Sequence, residues 1–217
     1  MKVGTDGVLL GAWTPINAFR SLDSEIRILD IGTGSGLIAR MLMQRCPNAS
    51  IDAIDIDPSA VEQARENGVR AFQARLQDWR LDIEHCYDLI VSNPPYFQNS
   101  LKNPDKGREM ARHTDTLSYA ELVHHSARLL REDGQLALIL PAEAEAEIRQ
   151  LAAAENLFLT RVTRVYSKES KPARRVLLLF DKSRCRDLEM MTDTLILEDE
   201  KGGRSAAYSE LCRDFYL

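Results

Sequence analysis

The stretch that most restricts the fold runs from Arg27 to Asp55. Arg27-Ile28-Leu29-Asp30-Ile31 is a short apolar run that reads as a strand. Gly32-Thr33-Gly34-Ser35-Gly36 follows at once, and Leu37 through Arg45 carries the spacing of an amphipathic helix closed by Pro47. Ile51 to Ile56 is a second strand; Pro58 opens a second helix to about Asn67, with Gly68 as its stop. Strand, glycine-rich turn, helix, and an acidic residue ending the next strand make a nucleotide-binding layout.

The fine spacing narrows the ligand. Gly32, Gly34 and Gly36 give GxGxG, and the third glycine of a GxGxxG pattern would fall on Leu37. A dinucleotide's pyrophosphate needs close approach to the helix N-terminus, so a less bulky ligand with a carboxylate tail fits better. Asp30, just ahead of the glycines, can accept from an ammonium. Asp55, 19 residues beyond Gly36, can hold both hydroxyls of a ribose. Ammonium, carboxylate, ribose diol and adenine are the groups of S-adenosylmethionine.

Tyr87 to Val91 reads as a strand buried on both faces, and Ser92-Asn93-Pro94-Pro95-Tyr96 sits on its end. Consecutive prolines stop the strand, remove two backbone donors and fix the chain direction. The Asn93 amide oxygen and the Pro94 carbonyl then form adjacent acceptors, suited to a group bearing two N–H bonds. Tyr96 offers a face on which a planar ring stacks. Pro-Pro at a strand end is, taken alone, equally a turn. Following Asp30, GxGxG and Asp55 on successive strand ends, it completes the pattern of a methyl-transfer site.

The remainder continues the alternation. Thr5 or Asp6 can cap a short helix bearing Val8, Leu9, Ala12 and Trp13, and Gly4, Gly7 and Gly11 let it lie close against either a ligand or the end of a sheet. Strand three spans Val69 to Leu76, and Gln98 to Thr116 is a long polar loop of the kind that carries function. Ser118 caps a helix to about Glu132, Gln135 to Leu140 is strand five, and a helix runs from Pro141 to Glu155. Phe158 to Tyr166 and Arg175 to Phe180 read as an antiparallel pair, Leu195 to Leu197 as a short addition, and Ser205 as the cap of a last helix. The expected fold is α/β: a Rossmann-like doubly wound sheet of seven strands, mainly parallel with an antiparallel C-terminal strand.

Composition sets the outer limits. The 217 residues are 44% hydrophobic and 28% charged, as in an ordinary soluble globular protein, and they read as one domain over 1–217. No apolar run approaches the ~20 residues that span a bilayer. Cys46, Cys86, Cys185 and Cys212 lack metal spacing, so reduced thiols in a cytoplasmic protein without a metal are expected. The net charge of −5 argues against an all-over polyanion-binding surface but leaves room for local basic clusters.

On these motifs the chain resembles the class I S-adenosylmethionine-dependent methyltransferases of the amino-group type, whose signature is [Asn/Asp]-Pro-Pro-[Tyr/Phe/Trp]. Met1 to Trp13, Arg108 to Arg112 and Arg174 to Leu178 are more narrowly similar to the bacterial tRNA1(Val) adenine-37 N6-methyltransferases. Such proteins usually carry a lead-in before the stretch Met-Lys-Val-Gly-Thr-Asp, at which this sequence starts. The resemblance implies tRNA as partner and Asn93, Pro94, Pro95 and Tyr96 as the catalytic tip. It implies cofactor contacts at Thr5, Asp30, Gly32, Gly34, Gly36, Asp55 and Asn93. The acidic residue at the cofactor adenine falls on Asp78 in one register and on Arg75 in the other. Tyr96, Lys102, Arg108, Arg112, Lys168, Lys171, Arg174 and Arg175 would hold the RNA, with Lys106 also on the polar loop. His124 and His125 read as helix-surface residues, and a monomer is expected.

Rival functions share these motifs. Methylation of a protein glutamine uses the same Asn-Pro-Pro-Tyr chemistry but usually comes with an N-terminal helical domain. A DNA adenine methyltransferase would carry a separate recognition domain. A non-catalytic cofactor-binding module would not need Asn93.

Overall fold

A computed structural model describes residues 4–16, 26–79, 86–94, 117–183 and 190–215. The strands are β1 (Arg27–Ile31), β2 (Ser50–Asp55), β3 (Ala71–Gln73), β4 (Tyr87–Ser92), β5 (Leu130–Pro141), β6 (Phe158–Tyr166), β7 (Arg175–Asp181) and β8 (Met191–Ile196). The helices are α1 (Thr5–Trp13), α2 (Leu37–Arg45), α3 (Pro58–Glu66), α4 (Tyr119–Leu129), α5 (Glu145–Ala154) and α6 (Ala206–Leu211). The strands form one eight-stranded sheet in the order β3-β2-β1-β4-β5-β7-β6-β8.

Sequence reading gave seven strands; the sheet has eight because the short Leu195–Leu197 piece overlaps the end of a six-residue strand paired in parallel with β6. The antiparallel strand is β7, which lies between β5 and β6 and pairs antiparallel with both. It is therefore internal, and β8 forms the edge. Strand three is confined to Ala71–Gln73, shorter than its apolar composition suggested.

Both faces of the sheet are covered, which is why its central strands are near-continuous apolar runs. Alternate residues serve opposite layers. Ile28, Leu89 and Val91 pack with Val8 and Leu9 of α1, Ile38 and Leu42 of α2 and Val61 of α3. Leu29, Ile31 and Ile90 pack with Leu122 and Val123 of α4 and Ile148 of α5. Each fully buried aliphatic side chain contributes ~1.5–3 kcal/mol.

α1 is buried from Gly7 through Trp13, and small residues let it approach α2. A Cβ on Gly11 would stand 2.7 Å from the Met41 sulfur, and one on Gly7 would stand 3.0 Å from Leu37 Cδ2. Gly7 and Gly11 thus lie against a helix rather than the end of the sheet, and a Cβ on Gly4 would meet nothing within 4 Å. Gly4 rather than Thr5 or Asp6 occupies the N-cap, without a side-chain hydrogen bond. Asp6 instead pairs with Arg175 at 2.8 Å, and the Trp13 indole N–H donates to Thr163 at 2.8 Å. Arg45 donates to the carbonyls of Gly11 and Thr14, satisfying orphan acceptors at the far end of α1.

Candidate active site

The chain order places β2 and β3 on one side of β1 and β4 on the other, so the strand direction of winding switches between β1 and β4. Ligands of open α/β sheets bind in the crevice at the carboxyl ends flanking such a switch. A cavity of about 390 Å³ opens there. Gly32 and Gly34 line it from the turn after β1, Asp55 and Ile56 from the end of β2, Gln77 from beyond β3, and Asn93 and Pro94 from the end of β4.

The turn after β1 is held by backbone bonds. The N–H groups of Gly32 and Thr33 both donate to the Ile54 carbonyl, at 2.9 and 3.0 Å. Gly32 has φ +68, and a Cβ built there meets nothing within 4 Å, which leaves an open cradle beside the cavity. Gly36 has φ +81 and packs toward α3 and the turn after it, where a Cβ would lie 3.2 Å from Ala64 Cβ and 2.9 Å from Val69 Cγ2. The glycine stretch thus serves a cavity at one end and helix packing at the other.

Asp30 is fully buried on β1. Its Oδ2 accepts from the Thr33 hydroxyl at 2.6 Å and the Ala39 N–H at 3.2 Å, while Oδ1 has no partner among the described residues. Burial pushes its pKa from 3.8 to about 6, partly countered by the Thr33 and Ala39 hydrogen bonds and aided by the charge of Asp55. Asp55 accepts from the N–H of Gly34 at 2.8 Å and of Asp57 at 3.0 Å, which fixes its carboxylate at the cavity.

At the end of β4, Ser92 is fully buried and donates to the Ile31 carbonyl at 2.9 Å. This bond ties the strand bearing Asn93 to the strand bearing the glycine turn. The Asn93 side chain makes no hydrogen bond among the described residues. Pro95, Tyr96, Lys102, Arg108 and Arg112 lie outside the described residues.

Other sequence expectations fall elsewhere. Thr5 is exposed in the first turn of α1, and neither Asp78 nor Arg75 lines the cavity. The β6–β7 connection leaves the carboxyl end of β6, which runs parallel to β5 through their shared partner β7, and so emerges at the cavity's end of the sheet. There Lys168 pairs with Glu198 at 3.3 Å and Arg175 with Asp6. Lys171 and Arg174 are exposed and make no side-chain pair among the described residues. His124 pairs with Glu155 at 2.9 Å.

Ile56 and Gln77 were not singled out from sequence, and Ser92 only as the first residue of the strand-end tip. Ile56 carried a signal: it is an isoleucine wedged between a strand-ending acid and a helix cap, and it is 51% exposed at the cavity. No group of described residues is arranged to hold a metal ion, and no described helix is long and apolar enough to cross a membrane.

Fold and site together define a methyltransferase. The sequence pattern of the methyltransferase small domain family matches residues 16–163, and the chain belongs to that family. Over its full length it is 44% identical to the tRNA1(Val) (adenine(37)-N6)-methyltransferase of Parabacteroides distasonis and 42% identical to that of Bacteroides fragilis, covering 91% of each. The protein of the same name from Edwardsiella ictaluri is 39% identical, with 87% of it covered. Among solved structures, a predicted O-methyltransferase from Agrobacterium tumefaciens superposes with a TM-score of 0.71 over 96% of both chains, at 17% identity. At that identity the likeness shows the fold.

Proposed function

We propose that this protein transfers a methyl group from S-adenosylmethionine to the exocyclic N6 of an adenine in tRNA, adenine 37 in the anticodon loop of tRNA1(Val). Full-length identity of about 40% to relatives of that name supports the substrate. A tRNA substrate implies work in the cytoplasm. The observation that carries the reaction is that Asn93 and Pro94 face the same cavity as the glycine turn and Asp55.

The residues present fit the cofactor. Asp30 does not line the cavity but lies buried behind Ile31 and Gly32, with its unpartnered Oδ1 assigned to an ammonium, and the open side of Gly32 leaves room for a ligand against the backbone. Asp55 holds the ribose hydroxyls, with the exposed Ile56 beside the base. Asn93 is also close enough in chain order to border the cofactor. When bound, S-adenosylmethionine supplies a methyl group already activated on a sulfonium, so the protein's work is positioning and electrostatics.

Adenine N6 is a poor nucleophile because its lone pair is delocalised into the ring. The Asn93 amide oxygen and the Pro94 carbonyl accept from its two N–H groups and turn the lone pair toward the methyl. Tyr96 stacks on the base, which leaves its own stack at modest cost in a loop. Lys102, Arg108 and Arg112 act with Lys171 and Arg174 on the phosphate backbone.

Single-turnover transfer to tRNA, read by nucleoside mass spectrometry, tests this. Asn93→Ala should cost ~3 kcal/mol of transition-state stabilisation, on the order of a hundredfold in rate. Its cofactor affinity should change far less. Full activity in that variant, or label in a protein glutamine instead of N6-methyladenosine, would overturn the proposal.

A further inference from the structure

Methyl transfer needs a donor half-site and an acceptor half-site at a fixed separation, and here they stand on neighbouring strands. The glycine turn follows β1, and the Asn93-Pro94 tip follows β4. The paired register of the two strands ends at Ile31 and Ser92. Beyond Asn93, Pro94 and Pro95 carry no N–H, so neither can donate a backbone bond that would hold the tip to β1.

A side chain makes that tie instead. The Ser92 hydroxyl donates to the Ile31 carbonyl at 2.9 Å from a fully buried position. One residue on, the Gly32 N–H donates to the Ile54 carbonyl at 2.9 Å, and the Gly34 N–H donates to Asp55 at 2.8 Å. Hydrogen bonds therefore run in series across three strand ends, from the β4 tip through the glycine turn to the end of β2. The body of β4 is buried at every position from Tyr87 to Ser92, and Ser92 is paired on its other side with the buried Leu138 of β5. What stays adjustable is the set of the tip against the turn. A buried hydroxyl adds little net stability once its desolvation is counted, so the effect of Ser92 lies in the position it fixes.

We propose that Ser92 is a positioning residue for the methyl transfer: its bond to the Ile31 carbonyl fixes how far the Asn93-Pro94 acceptors stand from the glycine turn. The inference rests on reading this cavity as the methyl-transfer site. In that reaction the N6–carbon bond forms as the carbon–sulfur bond breaks, its electron pair passing to sulfur, and the amine then loses one proton to water. Such a displacement needs the reacting atoms aligned and roughly 3–3.5 Å apart, and a misplacement of about 1 Å costs on the order of a hundredfold in rate. Ser92 spends its hydroxyl on the backbone and acts only through Ile31 and the adjoining Asn93. Its loss should slow the transfer step without weakening either ligand.

Single-turnover methyl transfer to tRNA, measured beside titrations with S-adenosylhomocysteine and with tRNA, tests the role of Ser92. Ser92→Ala removes the donor and should slow transfer by about tenfold, with both affinities held within about twofold. Ser92→Cys keeps a weaker donor of similar size, so its rate should fall between those of the intact protein and Ser92→Ala. A purely structural role would lower the unfolding midpoint and both affinities in step with the rate. That parallel loss, or an unchanged rate in Ser92→Ala, overturns the positioning role and leaves the reaction standing. Should Ser92→Ala not fold, Ser92→Cys decides: a slower rate at unchanged affinity supports the role, and a full rate overturns it. Absence of transfer by the intact protein would overturn the reading of the reaction as well.

Discussion

The glycine turn after β1 and the β6–β7 hairpin stand at the same end of the sheet and are built oppositely. The turn is almost all backbone: its N–H groups go to Ile54, and its acids, Asp30 and Asp55, are fixed by Thr33, Ala39, Gly34 and Asp57. The hairpin tip is side chain and charge, with Lys171 and Arg174 extended into solvent. The first suits a small ligand, through atoms fixed by short hydrogen bonds. The second suits a polyanion, whose attraction is long-ranged and tolerant of geometry. One end should fail steeply when atoms move, the other in small steps as charges change.

The steepest break is Gly36→Ala. A methyl there combines φ +81 with a 2.9 Å approach to Val69, so a loss of ~2–4 kcal/mol of stability is expected, measured by denaturant unfolding. A stability unchanged within error would mean that α3 yields freely.

Asp30 should show a pH signature of about tenfold amplitude in cofactor affinity, the order of one charge-assisted hydrogen bond. Its carboxyl in the free protein titrates at about 6, so an ammonium partner is favoured above that pH and affinity should fall as pH drops through it. The free protein runs the other way: its pKa is raised from 3.8, so the contribution of Asp30 to stability is present below pH 3.8 and lost as pH rises through about 6. Titrations from pH 5 to 8 should give a slope for the intact protein and a flat line for Asp30→Asn. A slope retained in that variant assigns the titration to another group.

The smallest effects belong to the hairpin. Lys171→Glu and Arg174→Glu should each lower tRNA affinity a few-fold and reduce its salt slope by about 1, without changing cofactor binding. Lys168→Ala should do less, because Lys168 is already paired with Glu198. Equal effects from Lys168 and Arg174 would erase the distinction between paired and unpaired cations.

Much of this was legible because it is local. The bounds of β6 match Phe158 to Tyr166, and β7 starts at Arg175, since branched and aromatic runs broken by Ser-Lys-Pro write a hairpin directly. Asp30, the glycines, Asp55 and Asn93 were placed by strand ends that neighbouring residues define. What escaped depends on distant partners. Asp6 reads as a helix cap until Arg175, 169 residues away, claims its carboxylate. Arg175 and Lys168 look alike to Arg174 in sequence, and only the fold pairs the first two. Most of β8 escaped because three of its six residues are exposed and only one is buried, which hides the pattern of a paired strand. Gln77 is an ordinary loop glutamine until α4 brings Glu121 against it.

The seating of α1 bears on how the chain matures during synthesis. Thr163, which takes the Trp13 indole N–H, lies 150 residues further along the chain. At ribosomal rates of roughly 5–20 residues per second, that interval lasts about 8–30 seconds. For that time α1 lacks its β6 and β7 partners, although α2, which faces its glycine seam, is made far earlier; alone, a segment of nine residues is too short to hold a helix in water. α1 thus completes its docking only after the β6–β7 hairpin has been made, and its final seating reports that event.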